Sequence, residues 1–145
     1  MDGLYVSLES RMTKKIDIPT YEIWIPGRPR SVQARRGDRY IESIRDSARA
    51  VVAEPIRGTR IDVEVWFAAP SLQRADVDNV LKPILDSLIG IVFADDAQVR
   101  SVLAVAVPTN ENFGISCDGR RFERLMNEQE FLVKIYRGVM HRHTL

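Results

Sequence analysis

Residues 74–99, RADVDNVLKPILDSLIGIVFADDAQV, hold five aspartates in an otherwise largely apolar run. Asp76 and Asp78 stand at one end, Asp95 and Asp96 at the other, and Asp86 lies between. Packing does not ask for clustered carboxylates, and like charges repel unless something positive lies between them. A divalent cation site is the chemistry that suits this pattern. Mg2+ takes hard oxygen ligands, usually one or two carboxylates, and leaves its other positions to water and to substrate phosphate oxygens. Asp76, Asp78 and one of Asp95 or Asp96 would supply that shell. Lys82, four residues after Asp78, would lean toward the same pocket. There it would stabilise charge developing on a phosphate, or neutralise the acids when metal is absent. A plainer reading makes Asp76 and Asp78 helix caps, Lys82 a surface partner of Asp78 and Asp86, and Asp95-Asp96 a turn.

These side chains need a scaffold. Placed on a helix, residues 78–89 put Val80, Leu81, Ile84, Leu85 and Leu88 on one face. Asp78, Asn79, Lys82 and Asp86 fall together in an arc of about 100°. Pro83 removes one backbone donor from this helix and threatens a kink. Ahead of it, Ile61, Val63, Val65 and Phe67 alternate with Asp62, Glu64 and Trp66, the clearest strand pattern in the chain. After it, the β-branched run Val99–Val107 reads as a more fully buried strand. The chain must therefore turn back after the helix, so that the second acid pair meets the first.

Two further strands and one further helix complete the reading. Tyr21, Ile23 and Ile25 alternate with Glu22 and Trp24 until PGRPR ends the pattern. Phe131, Val133 and Ile135 alternate with Leu132, Lys134 and Tyr136. Over Tyr40–Ala53, the spacing of Ile41, Ile44, Ala48 and Val51 predicts an amphipathic helix with arginines on its wet side. Residues 108–127 read as a loop with at most one helical turn. Residues 1–19 show no sustained period and read as a flexible N-terminal arm, which leaves 20–145 as a single domain. The order β-α-β-α-β-β predicts an α+β (α/β layer) fold, a mixed sheet of about four strands carrying two main helices.

Composition sets outer bounds. The 145 residues are 45% hydrophobic and 28% charged, as in a soluble globular protein with one ordinary core. No apolar run approaches the roughly 20 residues that span a bilayer. The first residues lack a basic start followed by an apolar core, and the single Cys117 has no internal disulfide partner. A cytoplasmic setting without membrane attachment is the expectation. The net charge of +1 conceals an imbalance: residues 28–60 hold nine arginines against four acids. Arginine suits bidentate phosphate contacts, although a solvated basic surface would look the same. His141, His143 and Cys117 show no pattern of a nucleophile or base. Trp24 and Trp66 share the polar phase of their strands, where they would stack on DNA bases or cover an interface.

The combination Asp76-x-Asp78-Asn79, then Lys82, Asp86 and DDAQV, resembles the RusA family of Holliday junction resolvases. PGRPRSVQARR is similar to that family's N-terminal Pro-rich basic turn, and residues 108–127 read as an insertion relative to it. The resemblance implies a Mg2+-dependent endodeoxyribonuclease, with Mn2+ as a substitute ion, acting as a homodimer on four-way or branched DNA in recombination and repair. It implies Asp76, Asp78, Lys82 and Asp96 as catalytic residues. Asp76, Asp78 and Asp96 would hold the metal, with Asp95 as a further candidate ligand. Symmetric nicks need two active sites, which a two-fold dimer supplies. The ion would orient a water and polarise the scissile phosphate. Arg28, Arg30, Arg35, Arg36 and Arg74 would hold the DNA through its phosphates. A dimer that binds branched DNA without cutting it is the alternative from another class, although a binder gains nothing from acids facing phosphates. A metal-dependent enzyme acting on nucleotides or sugars would lack a phosphate-cradling glycine loop here.

Overall fold

A computed structural model of the chain describes residues 18–30, 37–69, 77–108, 119–127 and 129–138. The expected arm at 1–19 lies almost wholly outside these residues, as do Cys117, His141 and His143. The elements run β1 (Tyr21–Pro26), α1 (Gly37–Val51), β2 (Ile61–Ala69), α2 (Val77–Leu88), a 3₁₀ turn (Asp96–Gln98), β3 (Val99–Pro108), α3 (Gly119–Met126) and β4 (Glu130–Arg137). The four strands form one mixed sheet in the order β1-β4-β2-β3. β4 pairs antiparallel with both β1 and β2, while β2 and β3 are parallel. Parallel neighbours need a long crossover, and α2 supplies it. The fold is α+β, as the alternation of strand and helix patterns predicts.

One face of the sheet holds the main core. Ile23, Ile25, Val63, Val65, Val133 and Ile135 are almost fully buried there. They pack with Tyr40, Ile44 and Ala48 of α1 and with Ile84 and Leu88 of α2. Each helix offers one apolar stripe, so each contributes one face and leaves its polar residues outside. Pro83 does not end α2, which continues to Leu88, where the Ser87 hydroxyl donates to the Pro83 carbonyl at 2.5 Å. Gly90 then turns the chain at φ +84°, a conformation costly for any residue with a Cβ. The amides of Ile91 and Val92 both donate to the Leu88 carbonyl, closing the helix end.

Three expectations need correction. The first concerns residues 108–127: Gly119–Met126 form a third helix of 8 residues, and 109–118 lie outside the described residues. Phe122, Leu125 and Met126 keep helical spacing, but Arg120, Arg121 and Arg124 break up the apolar signal. The second concerns β3, which is not fully buried. It is an edge strand, and Leu103 is 51% exposed. A β-branched run fits an outer strand as well as an inner one, and only the pairing order decides. The third concerns the sheet face that holds Trp24 and Trp66, which the strand patterns place in the polar phase. Leu132 and Tyr136 are buried because β4 is central. α3 lies over this face, around a small hollow of about 50 Å³ bounded by Trp24, Trp66, Phe122, Leu125 and Leu132. The Arg124 guanidinium stands 4.3 Å from the Trp24 ring centre and also forks onto Glu130. Arg121 pairs with Glu22 across the same face. Both tryptophans therefore serve the seat of a helix within the chain.

Candidate metal and phosphate site

The second acid pair is held by its own local hydrogen bonds. Asp95 caps the 3₁₀ turn: its carboxylate accepts from the Ala97 amide at 3.0 Å. Gln98 completes the capping box by accepting from the Asp95 amide at 2.9 Å and the Ala94 amide at 3.0 Å. Its amide nitrogen reaches back to the carbonyls of Ile56 and Thr59, both at 3.0 Å. Arg60 donates to the Ala97 carbonyl at 2.6 Å. The turn is thus pinned to residues 56–60, the link between α1 and β2. The Asp-x-x-Gln spacing is a sequence signal for such a cap; in the sequence Gln98 stands within the DDAQV motif without a role of its own, and Arg60 only among the basic residues of 28–60.

Asp96 projects into an open hollow of about 290 Å³, lined with Leu81, Lys82, Leu85, Asp86, Phe93 and Val99. Phe93 and Leu85 give it an apolar wall, while Lys82, Asp86 and Asp96 supply its charges. The structure therefore brings Lys82, Asp86 and Asp96 to one place. Asp86 belongs to these surroundings rather than to a separate surface pair. Asp78 lies in the first turn of α2, one turn before Lys82 and on the same side of the helix axis by position. Its side chain, and the whole of Asp76, lie outside the described residues.

The two neighbouring acids are electrostatically unequal. The Ala97 amide holds the Asp95 carboxyl below the usual carboxylate range, helped by a hydrogen bond with Asp96. Asp96 is pushed up, first by that hydrogen bond and then by the charge of Asp95, with a smaller push from Asp86. Repulsion among acids thus falls on Asp96, where a cation would relieve it. The polar side chains lining this hollow, other than Lys82, are the carboxylates of Asp86 and Asp96, the donor chemistry that Mg2+ or Mn2+ takes. Among the described residues no three metal-ligating side chains meet, so a full shell needs donors beyond Asp86 and Asp96.

The candidate DNA contacts are partly described. β1 and β2 run in the same direction, so Arg28 and Arg30, just after β1, lie at the sheet end from which α2 departs. Arg30 is exposed; its backbone amide donates to the Tyr40 hydroxyl at 3.2 Å, and its guanidinium lies 5.9 Å from the Tyr40 ring centre. Burial raises the Tyr40 pKa, against a smaller opposing effect of Arg30. Arg35, Arg36 and Arg74 lie outside the described residues. No helix among the described residues is long and apolar enough to cross a membrane.

Comparison with known proteins adds an independent line. The family model described as endodeoxyribonuclease RusA matches residues 26–116. A crossover junction endodeoxyribonuclease rusA of Enterobacteria phage HK97 is 31% identical over 77 residues. That match covers 50% of this chain and 64% of the phage protein, so the chain spans less than two thirds of its relative.

Proposed function

The chain belongs to the RusA family, and on that premise we propose that it is a divalent-metal-dependent endodeoxyribonuclease resolving four-way DNA junctions. The observation that carries this reading is the meeting of Lys82, Asp86 and Asp96 at one open hollow beside the start of α2. Asp76, Asp78 and Asp96 would hold Mg2+ or Mn2+, with Asp95 kept mainly as the cap of its turn. When bound, the ion would supply Lewis-acid polarisation of the phosphate and a more acidic water.

The chain's own residues do the rest. Lys82 offsets negative charge that grows on the phosphate oxygens as the bond breaks. The apolar wall of Leu85 and Phe93 limits water on one side of the hollow, which strengthens the interaction between Lys82 and the phosphate. Arg28, Arg30, Arg35, Arg36 and Arg74 hold phosphates of the junction arms, so binding weakens steeply with salt. Two copies related by a two-fold axis place one hollow on each of two strands and give paired, symmetric nicks. A cytoplasmic role in DNA recombination and repair follows from that activity.

A substrate panel tests the reading. The full chain is incubated with synthetic four-way junctions, forks and linear duplex, with Mg2+ and with a chelator. Paired nicks in the junction that require Mg2+ are the expected result. Equal cutting of linear duplex, or junction cutting in chelator, contradicts it.

A further inference from the structure

The Gln98 carboxamide forms four hydrogen bonds across two segments of the chain. Its oxygen meets two N–H donors, from Ala94 and Asp95, and its nitrogen meets two carbonyls, of Ile56 and Thr59. The partners alone fix which end is which, because carbonyls cannot donate and amides cannot accept. No other residue type of this length offers two acceptor lone pairs at one terminal atom and two donors at the other. Asp96 sits inside the span that Gln98 closes, and its own carboxylate is free of any such tether to the 56–60 link. Its place at the hollow is therefore inherited from the turn. Arg60 adds one more tie, from the same link to the Ala97 carbonyl.

We propose that Gln98 is a positioning residue: by clamping residues 94–98 onto residues 56–59 it holds the Asp96 carboxylate where a divalent cation is bound. This rests on the metal reading of the hollow. The physical case is one of order. A carboxylate on a three-residue 3₁₀ turn has little regular structure to hold it, since such a turn makes few hydrogen bonds of its own. Without the clamp, the turn would sample several conformations, and cation binding would have to restore one of them. Partners that orient metal ligands typically affect metal affinity by about 10- to 100-fold when removed.

Gln98→Glu is the sharpest probe. It keeps length and shape, but sets a carboxylate oxygen against the Ile56 and Thr59 carbonyls, where no proton is available to either side. Mn2+ binding is measured by titration calorimetry on the DNA-free chain, with thermal unfolding and exchange of the Ile56 amide, which donates to the Val92 carbonyl between the two segments, as companions. The expected result is Mn2+ binding weakened about tenfold or more, with faster Ile56 amide exchange and unfolding still cooperative. In junction cleavage the half-saturating Mg2+ concentration rises, and the rate at saturation recovers. Mn2+ binding within about twofold of wild type, whatever the unfolding temperature, overturns the role. Should Gln98→Glu fail to fold, Arg60→Ala decides: it removes a single exposed tie and is expected to weaken Mn2+ binding by about threefold, a fraction of the full effect. No change there overturns the proposal. A wild-type chain that binds no Mn2+ overturns the metal reading itself, and this role with it. Unchanged binding in Gln98→Glu leaves the metal reading standing.

Discussion

The bulge that follows the acidic turn offers a quantitative test of how the site is held. Val99 pairs with Ile61 and Ser101 with Asp62, so Arg100 is the extra residue on β3. A bulge bends its strand and re-aims side chains, and here it turns the Arg100 guanidinium onto Asp62. Arg100 donates to the two Asp62 oxygens at 3.2 and 2.6 Å, and the Ser101 hydroxyl donates at 2.5 Å. Asp62 is only 7% exposed. Removing one member of a fully buried pair costs about 3–5 kcal/mol. The Arg100 side chain is 30% exposed and can regain water, so Asp62→Ala is expected to cost about 2–3 kcal/mol. At this chain length that corresponds to roughly 6–9 °C in the thermal midpoint. Urea unfolding of Asp62→Ala, Arg100→Met and the double variant gives the coupling energy, expected at about 1–2 kcal/mol. A coupling below about 0.5 kcal/mol would show that the pair decorates the bulge without fixing it.

Other consequences are as direct. Phe93 is fully buried behind the acidic hollow, so Phe93→Ala should cost about 3–5 kcal/mol in urea unfolding; a loss under about 1 kcal/mol would mean the wall is loosely packed. Gly138 lies so close to Arg60 that an added Cβ would meet the Arg60 carbonyl oxygen. Gly138→Ala should therefore shift the 56–60 link and lower stability by about 1–3 kcal/mol, and an unchanged thermal midpoint would refute that crowding. Glu130 has its pKa lowered, first by its hydrogen bonds with Arg124. Its stabilising share is present above the ordinary glutamate value and is lost as pH falls through the lowered one. Glu130→Gln should flatten that acid-side loss of stability, and identical pH profiles for the two proteins would contradict it.

Much of this fold is legible in the sequence because its strands and two long helices carry strong periods. β1, β2 and β4 each keep an apolar residue at every second position, and the apolar stripe of α2 survives its internal proline. α3 is harder to read: three arginines in 8 residues hide an apolar stripe that exists only to cover Trp24, Trp66 and Leu132. The burial of β3 is not legible either, since its neighbours are set by the pairing order and not by its own composition. At the site, the sequence sets Lys82, Asp86 and Asp96 in one stretch, and the fold brings these three to one hollow, but the sequence cannot divide the labour of the acids. That division comes from hydrogen bonds: the Ala97 amide claims Asp95, and the turn leaves Asp96 facing Lys82 and Asp86. Gln98 and Arg60 act on segments about 40 residues away along the chain. Only the folded chain reveals such partners.

Asp78→Asn probes the acidic stretch as a metal site. The change keeps the size of the side chain and removes one negative charge from the start of α2. Four-way junction binding and Mg2+-dependent cleavage are measured side by side for this variant and the wild type. Junction binding is expected to persist, because the proposed phosphate contacts belong to the arginines, while cleavage falls to background. Cleavage by Asp78→Asn at the wild-type rate in Mg2+ would contradict the assignment of this acidic stretch as the metal site.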